Sequence, residues 1–226
     1  MAQEIVKGED VQYPIGISDL FICMIKTKGS SSIPPVYDTK IWRQPVISKL
    51  KVKGNGKTVE KWASNKLFIR VNRQTQHELS LDYVGLPVAL LDQMRGNKVV
   101  NGVGFGTGDP IAAPEFAVGY IAPNSDGVDT AYWYPRASLD AAVETDYETA
   151  KEDLEINDVS VTIQASTLQN NNLLWTDLNT ARAMDKALTA EQFMSTVIAD
   201  ESDLQKLIAG LAPETPPTTP VESGGK

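Results

Sequence analysis

The sequence is poor in the residues on which much enzyme and metal chemistry depends. It has one histidine, His77, and one cysteine, Cys23, in 226 residues. A single cysteine excludes an intrachain disulfide framework, and a site built from several cysteines or histidines is impossible. A Ser-His-Asp or Cys-His mechanism would have to use this one imidazole, and neither residue lies in a nucleophile motif. We therefore expect a buried, hydrophobic Cys23, a structural His77 and a protein that is not an enzyme.

Long apolar runs are also missing. The longest, residues 20–25, is far shorter than the ~20 residues that a membrane helix needs. Residues 1–10 lack the basic cluster followed by an apolar stretch that marks an export signal. The sequence therefore predicts no membrane association, and synthesis and retention in the cytosol.

Phosphate-binding motifs are absent as well. Residues 102–108 are rich in glycine, but Asp109-Pro110 and Pro114 follow where a phosphate-binding helix would have to start. There is no Gly-Lys-Ser/Thr of a P-loop and no calcium-binding loop. We expect this segment to be a flexible loop, and the protein to use no cofactor and no metal.

What the sequence does contain is a strong separation of charge. The net charge is -8, yet residues 40–73 hold ten basic residues and one acid. Residues 138–158 hold eight acids and one lysine. If the two segments occupy different faces, one copy can meet another, basic patch to acidic patch. The alternative is that they are solvated faces that partly neutralise each other within one molecule. The acids are Asp140, Glu144, Asp146, Glu148, Glu152, Asp153, Glu155 and Asp158.

The chain length and composition predict one domain, residues 1–210, followed by a disordered tail rich in Pro and Thr, residues 211–226. Within the domain, residues 1–40 resemble an extended arm and a long loop around one strand, residues 20–26. The clearest local pattern is a long basic hairpin, residues 46–63. Its two alternating segments flank Gly54-Asn55-Gly56, a typical turn sequence.

In the first segment of this hairpin, Lys49, Lys51 and Lys53 recur at every second residue and so share one face. Such a lysine row either protects a sheet edge from aggregation or belongs to an arm that reaches a neighbour. We favour the inter-subunit arm because of the charge separation. Its candidate contact residues are Lys49, Lys51, Lys53, Gly54, Asn55, Gly56, Lys57, Lys61 and Trp62.

The rest of the chain predicts further strands and short helices. A second hairpin is expected from residues 66–71 and 77–83. Strands are expected around residues 115–121, 130–134 and 159–165. A helix is expected over residues 86–96, with proline near its start and glycine at its end. Capping-box patterns predict two C-terminal helices, which begin near Thr189 and Ser202.

The order of these elements resembles the major tail tube proteins of long-tailed phages (siphoviruses) of Gram-positive hosts. The likeness rests on the basic hairpin ending in residues 57–65, the strand through Leu79-Ser80-Leu81, and Leu86-Pro87 opening a helix that ends at Gly96. It also includes the strand of residues 159–166 and the helix at Glu191-Gln192-Phe193. Together these patterns cover most of residues 1–210.

The resemblance implies a mainly β fold, a sandwich or barrel-like tail tube domain with one packed helix and short C-terminal helices. It also implies a virion protein, assembled in the host cytoplasm, whose hexameric rings stack into a tube for phage DNA. The implied partners are further copies, the tape measure, tail terminator and distal tail proteins, and DNA that passes without specific binding. The acids of residues 138–158 would then face either the next ring or the lumen, where they would keep DNA mobile because basic walls would capture it.

Two alternatives remain open on the sequence. One is a monomeric β-sandwich that binds carbohydrate or a host surface through Tyr132, Trp133 and Tyr134. In a strand these side chains alternate, with Trp133 opposite the two tyrosines, which also suits packing on both faces. The other is a different virion component, such as a tail-terminator or connector protein.

Overall fold

The computed structural model describes residues 11–63, 65–106, 112–140 and 158–211. It confirms the mainly β fold with one packed helix and short C-terminal helices. The strands are β1 (Leu20–Thr27), β2 (Val36–Gln44), β3 (Ile47–Gly54), β4 (Lys57–Ala63), β5 (Lys66–Arg73), β6 (Gln76–Tyr83), β7 (Lys98–Val100), β8 (Val103–Phe105), β9 (Phe116–Pro123), β10 (Asp129–Leu139), β11 (Val159–Ser166) and β12 (Thr176–Asn179). The helices are α1 (Val88–Arg95), α2 (Ala190–Phe193) and α3 (Glu201–Gly210).

One antiparallel sheet organises the molecule, with the strand order β2-β1-β9-β10-β11-β6-β3. The long strand β10 is shared between two partners on one side. Its first half pairs with β12 at residues 130–133, and its second half pairs with β11 at residues 137–139. Between them the register with β9 shifts after Tyr134, next to Pro135, because proline has no N–H to donate to the ladder. The sheet therefore divides at β10 into two branches.

Both faces of the central strands are buried. In β1, Leu20 and Ile22 belong to one hydrophobic cluster, whereas Phe21 and Cys23 belong to the other. The first cluster contains Leu90 and Met94 of α1, and the second contains α2 and the residues after it. A strand covered on both faces is apolar at successive positions rather than alternating, which explains the run in β1. The predicted burial of Cys23 is confirmed.

The helices begin and end largely where the sequence predicts. Pro87 precedes α1, and Gly96 ends it in the left-handed conformation, with φ of 70°. The capping box at Thr189 is present in both of its hydrogen bonds, and it opens α2. The predicted start of the last helix at Ser202 is wrong. Asp200 caps α3 by accepting from the Asp203 N–H at 3.0 Å, and the Ser202 hydroxyl donates to the same carboxylate.

The two predicted hairpins are wrong in their pairing. β3 does not pair with β4 across Gly54-Asn55-Gly56, and β5 does not pair with β6. Instead β3 pairs with β6, and β4 pairs with β5. Residues 47–63 are thus one side of a longer hairpin whose other side is residues 66–83. The chain reverses at Asn65, which has a φ of 60°.

Several strands lie where the sequence analysis placed loops. β2 begins at Val36, inside the predicted arm-and-loop region, and forms one edge of the main sheet. β7 and β8 form a small hairpin inside and beside the glycine-rich segment. Its turn residues Asn101 and Gly102 both have positive φ, as a tight type I′ hairpin turn requires. The predicted Pro/Thr-rich tail lies outside the described residues, apart from Leu211.

Candidate assembly surface

Among the described residues, the two-stranded unit β4–β5, here called the arm, is the longer of two hairpins whose strands are exposed throughout. All seven residues of β4 and all eight of β5 are exposed. The arm forms a sheet of its own, beyond the end of β3 and β6. Its charge is mostly basic, with one acid, Glu60, and five basic residues. These are Lys57, Lys61, Lys66, Arg70 and Arg73.

One side of the arm satisfies its own polar groups. The hydroxyl of Thr58 donates to the side-chain oxygen of Asn72 at 2.8 Å, directly across the two strands. Beside this pair, Nε of Arg70 donates to the carboxylate of Glu60 at 2.8 Å. Both pairs are cross-strand neighbours, the contacts that stabilise a two-stranded sheet.

The other side of the arm is apolar at its centre. Val59 and Val71 are direct cross-strand partners there, and Lys61 faces Ile69. Each of these valines is about half exposed. This side therefore presents an uncovered hydrophobic strip with lysine beside it.

The end of the arm, here called the tip, carries the largest exposed side chains. The register shifts between Lys61 and Trp62, so that Trp62 faces Leu67 and Phe68 is the extra residue of a β-bulge. Trp62 is 62% exposed and Phe68 is 73% exposed. A tryptophan and a phenylalanine at the tip of a projecting hairpin are typical of a surface that another molecule covers.

A hydrogen-bonded joint connects the arm to the main sheet. The side chain of Asn55 accepts from the backbone N–H groups of Thr75 and Gln76, at 3.1 and 3.0 Å. Its backbone N–H donates to the carbonyl of Gln76 at 3.1 Å. Asn55 thus ties the two strands together where the regular ladder is interrupted, and it does not form the turn predicted for it.

The predicted contact residues fall in three separate places. Lys57, Lys61 and Trp62 lie on the arm, and Gly54, Asn55 and Gly56 lie at the joint. The lysine row lies on β3, an edge strand of the main sheet. There Lys49 faces Asp82 and Lys53 faces Glu78 on the neighbouring strand. This placement suits the protective role of edge lysines as well as a contact role.

Of the acidic segment, only Asp140 and Asp158 lie within the described residues. The N–H of Asp140 donates to Thr162 at 2.9 Å, and Asp158 directly precedes β11. Strand β6 separates β11 from the lysine row on β3. Glu144, Asp146, Glu148, Glu152, Asp153 and Glu155 lie outside the described residues.

The aromatic residues suggested for carbohydrate binding do not form an exposed platform. Trp133 is completely buried, and its Nε1 donates to the carbonyl of Phe193 at 3.3 Å. Tyr134 is buried in the opposite cluster, where burial raises its pKa to about 12. Tyr132 is half-buried and stacks on Tyr120, with ring centroids 4.9 Å apart. The alternation predicted for the three residues is confirmed, because Trp133 packs in one hydrophobic cluster and the two tyrosines pack in or against the other.

His77 is buried near the joint. Its Nδ1 lies 3.0 Å from the hydroxyl oxygen of Tyr134, and its Nε2 has no hydrogen-bond partner in the described part of the chain. Burial lowers the pKa of the imidazole. Cys23 lies elsewhere in the core, on β1, where burial raises the pKa of its thiol to about 11. Its thiol donates to the carbonyl of Asp38 at 3.4 Å.

The described residues hold no cluster of three or more His, Cys, Asp or Glu side chains arranged for a metal ion. None of the helices in the same ranges is long and apolar enough to cross a bilayer. No protein-family model matches the sequence, and none of the curated proteins is similar enough to it to count as a match.

Sequence reasoning located the basic segment but missed the arm itself. The available signal was in β5, where Leu67, Ile69 and Val71 recur at every second residue and so share one face of a strand. Two adjacent alternating segments separated only by Ser64 and Asn65 are compatible with a hairpin. The glycines at 54 and 56 were a stronger turn pattern, and they favoured the wrong pairing.

Proposed function

We propose that this protein is a structural subunit that assembles with copies of itself into stacked hexameric rings, which form a phage tail tube for DNA passage. The observation that carries the proposal is the arm, a β-hairpin whose strand residues are all exposed and which has a hydrophobic strip and two large aromatic residues at its tip. The hexamer and the tube come from the family resemblance.

The arm is not expected to be stable as an isolated hairpin. A two-stranded hairpin in water is at best marginally stable, and it needs packing against something else. Here the strip around Val59 and Val71 and the tip around Trp62 have no covering residues in the described parts of the same chain. A partner that covers them would remove apolar surface from water at roughly 25 cal/mol per Å².

Charge favours a second copy as that partner. The arm carries net positive charge in a chain whose net charge is -8, so the remainder of every copy is net negative. Association of the arm of one copy with the body of another would match opposite charges. Such a contact joins unlike surfaces, and repeated head-to-tail contacts generate closed rings or open filaments. A stacked tube needs contacts of this kind.

The tube interpretation also agrees with the acidic character of the protein. Duplex DNA carries one negative charge per ~1.7 Å, and a basic channel would hold it by counterion release. A subunit that uses its basic residues in contacts with neighbours would leave acids for the lumen. The tape measure, terminator and distal tail proteins are the further partners that the resemblance implies.

An arm deletion tests the proposal. Removing residues 57–74 would leave Gly56-Thr75 as a two-residue connection between Asn55 and Gln76, which are already hydrogen-bonded. Glycine in the first position suits a type II′ hairpin turn, so β3 and β6 should still pair. We expect the full chain to form rings or tubes by negative-stain electron microscopy, and the deletion variant to be a folded monomer by circular dichroism and light scattering.

A milder variant separates loss of the hydrophobic strip from loss of the whole arm. Val59→Thr with Val71→Thr keeps β-branched side chains, and therefore strand propensity, while making the strip polar. Thr58→Ser with Asn72→Ser, on the opposite side of the arm, is the matched control. The proposal predicts that the valine variant loses assembly and the control keeps it. A full-length protein that stays monomeric at all concentrations, or a deletion variant that still assembles, would reject it.

A further inference from the structure

A cleft lies between β12 and α3, beside the branch of the sheet that β12 forms with β10. It encloses about 470 Å³. Its apolar lining consists of Leu173, Trp175, Phe193, Ile198 and Leu204. Phe193 and Ile198 are buried and form the floor, whereas Trp175 is 41% exposed on the wall. The volume lies in the range of sites that hold a compact ligand or a large side chain.

The wall of the cleft is held in place by aromatic packing. Trp175 meets the ring of Tyr132 edge-on, with centroids 6.3 Å apart. Tyr132 in turn stacks on Tyr120 of the next strand. Trp175 is thus positioned before any partner arrives, which lowers the entropy cost of binding.

Three acidic residues line the cleft, Asp177, Asp200 and Glu201. Asp177 is paired with Arg182 at 2.5 Å. Asp200 accepts hydrogen bonds at the start of α3, and those bonds lower the pKa of its carboxyl, so it stays ionised. Glu201 is exposed in the first turn of α3. Neither Asp200 nor Glu201 has a cationic partner among the described residues.

The arm tip has the complementary composition. It combines exposed apolar side chains, Trp62, Leu67 and Phe68, with the adjacent cations Lys61 and Lys66. The β7–β8 hairpin also exposes apolar residues, among them Phe105, but it carries no acid and one lysine, so its charge match to the cleft is weaker.

We propose that the cleft between β12 and α3 is the receiving site for the arm tip of a second copy of this chain. An aromatic side chain of the tip packs beside Trp175, and the tip lysines lie against Asp200 and Glu201. This inference rests on the proposed self-assembly and adds the surface on which the arm docks. The contact has an apolar centre and a charged rim, which is the usual anatomy of a protein interface.

Crosslinking between two different variants tests the contact. Ala63→Cys places a thiol at the arm tip, and Gln205→Cys places one on α3, one turn after Glu201. Both positions are exposed, and neither is a proposed contact group. The natural Cys23 is buried and its thiol stays protonated, so it should not react, which the unmodified protein checks. One variant carries a tag, the two are mixed, and a short bis-maleimide is added.

We expect a crosslinked dimer that contains one tagged and one untagged chain, and much less product from either variant alone. The same experiment with Phe105→Cys mixed with Gln205→Cys tests the β7–β8 hairpin as the competing occupant of the cleft. Three outcomes would overturn the docking site if assembly itself is normal. They are crosslinks mainly between two Ala63→Cys chains, crosslinks through Phe105→Cys, and no crosslinked product at all. Each of them would leave the proposal of self-assembly intact. Failure of the unmodified protein to assemble would instead remove both proposals.

Substitution of the cleft wall gives a second measurement. We expect Trp175→Ser to raise the concentration needed for assembly by roughly ten-fold or more, as for a buried aromatic contact residue. Phe105→Ser, a similarly exposed aromatic residue on the other hairpin, should change it by less than about two-fold. Thermal unfolding of both variants identifies a loss of folding. Equal effects of the two substitutions on assembly, with folding intact, would contradict the proposal.

Discussion

Asn55 and Thr75 are hydrogen-bonded to each other twice across the joint of the arm. Nδ2 of Asn55 donates to the hydroxyl of Thr75 at 3.3 Å, and the N–H of Thr75 donates to Oδ1 of Asn55 at 3.1 Å. The same Oδ1 accepts from the N–H of Gln76. One side chain therefore replaces part of the backbone ladder where the main sheet ends and the arm begins.

Replacing Asn55 with alanine should loosen the arm without unfolding the domain. The change leaves two backbone N–H groups without their acceptor, and each lost bond costs about 0.5–1.5 kcal/mol. We expect faster hydrogen exchange in β4 and β5, and unchanged exchange in β1 and β9. Asn55→Asp keeps an oxygen acceptor for both N–H groups and should preserve most of the protection. Equal protection in Asn55→Ala and the natural chain would show that the joint does not depend on this side chain.

Gly119 should be among the positions least tolerant of a methyl group. A Cβ there would lie 2.5 Å from Cε of Met194, 2.7 Å from the carbonyl oxygen of Tyr132 and 2.8 Å from the ring of Trp133. We expect Gly119→Ala to lower the free energy of unfolding by roughly 1–3 kcal/mol, measured by guanidinium denaturation, because the core must shift to make room.

Gly104→Ala is the control for that substitution. No atom lies within 4 Å of a Cβ built at Gly104. Its effect should stay within about 0.5 kcal/mol, as for other surface changes. If the two alanine variants were equally stable, Met194 and Trp133 would not pack as closely against Gly119 as the structure indicates.

His77 should make stability depend on pH in a defined direction. Burial disfavours the imidazolium and lowers the pKa of His77 in the folded protein below its ordinary value of 6.5. The unfolded chain then binds the proton first, so the stability from the neutral ring is complete above pH 6.5. It declines as the pH falls below 6.5, by at most about 1.4 kcal/mol per pH unit.

Denaturant unfolding at several pH values, compared with His77→Gln, measures this contribution. Glutamine removes the titration while keeping a polar side chain near Tyr134. We expect the natural chain to lose more stability than the variant between about pH 7 and pH 5.5. Identical pH profiles would mean that the imidazole is accessible enough to titrate normally in the fold.

Salt should weaken self-assembly if the basic arm meets acidic surface. The Debye length falls from about 10 Å at 0.1 M salt to about 3 Å at 1 M, which screens exposed charge pairs. We expect the concentration needed for assembly, measured by sedimentation, to rise with NaCl. Assembly that is unaffected or strengthened by salt would show that the apolar strip and tip dominate and that charge separation has no part in the contact.

Local patterns predicted where the strands and helices lie better than they predicted which strands pair. The run of residues 20–25, the alternation of residues 159–165 and the Pro and Gly around α1 each placed an element correctly, because these signals depend on neighbouring residues. The predicted pairing of β3 with β4 is wrong, because β3 pairs with β6. Gly54-Asn55-Gly56 resembles a turn, but neither glycine has a positive φ, and Asn55 instead bonds across to Thr75 and Gln76.

The candidate assembly surface could be predicted only in part from the sequence. Charge counting indicated a basic segment, and three of the predicted contact residues, Lys57, Lys61 and Trp62, are on the arm. The cleft could not be predicted, because Trp175, Phe193 and Leu204 belong to three different elements or loops. No local pattern relates such residues, since they meet only after the strands and helices have packed.

The sequence by itself determined that this is a β-rich chain with one cysteine, one histidine, separated charge and no recognisable catalytic or metal motif. Those properties follow from residue type and short-range spacing. The tertiary structure decided which strand pairs with which, that residues 57–73 project as an arm, and that an acid-rimmed cleft lies beside α3. These features depend on long-range contacts whose energies are shared among residues distant in the chain, so no single segment encodes them.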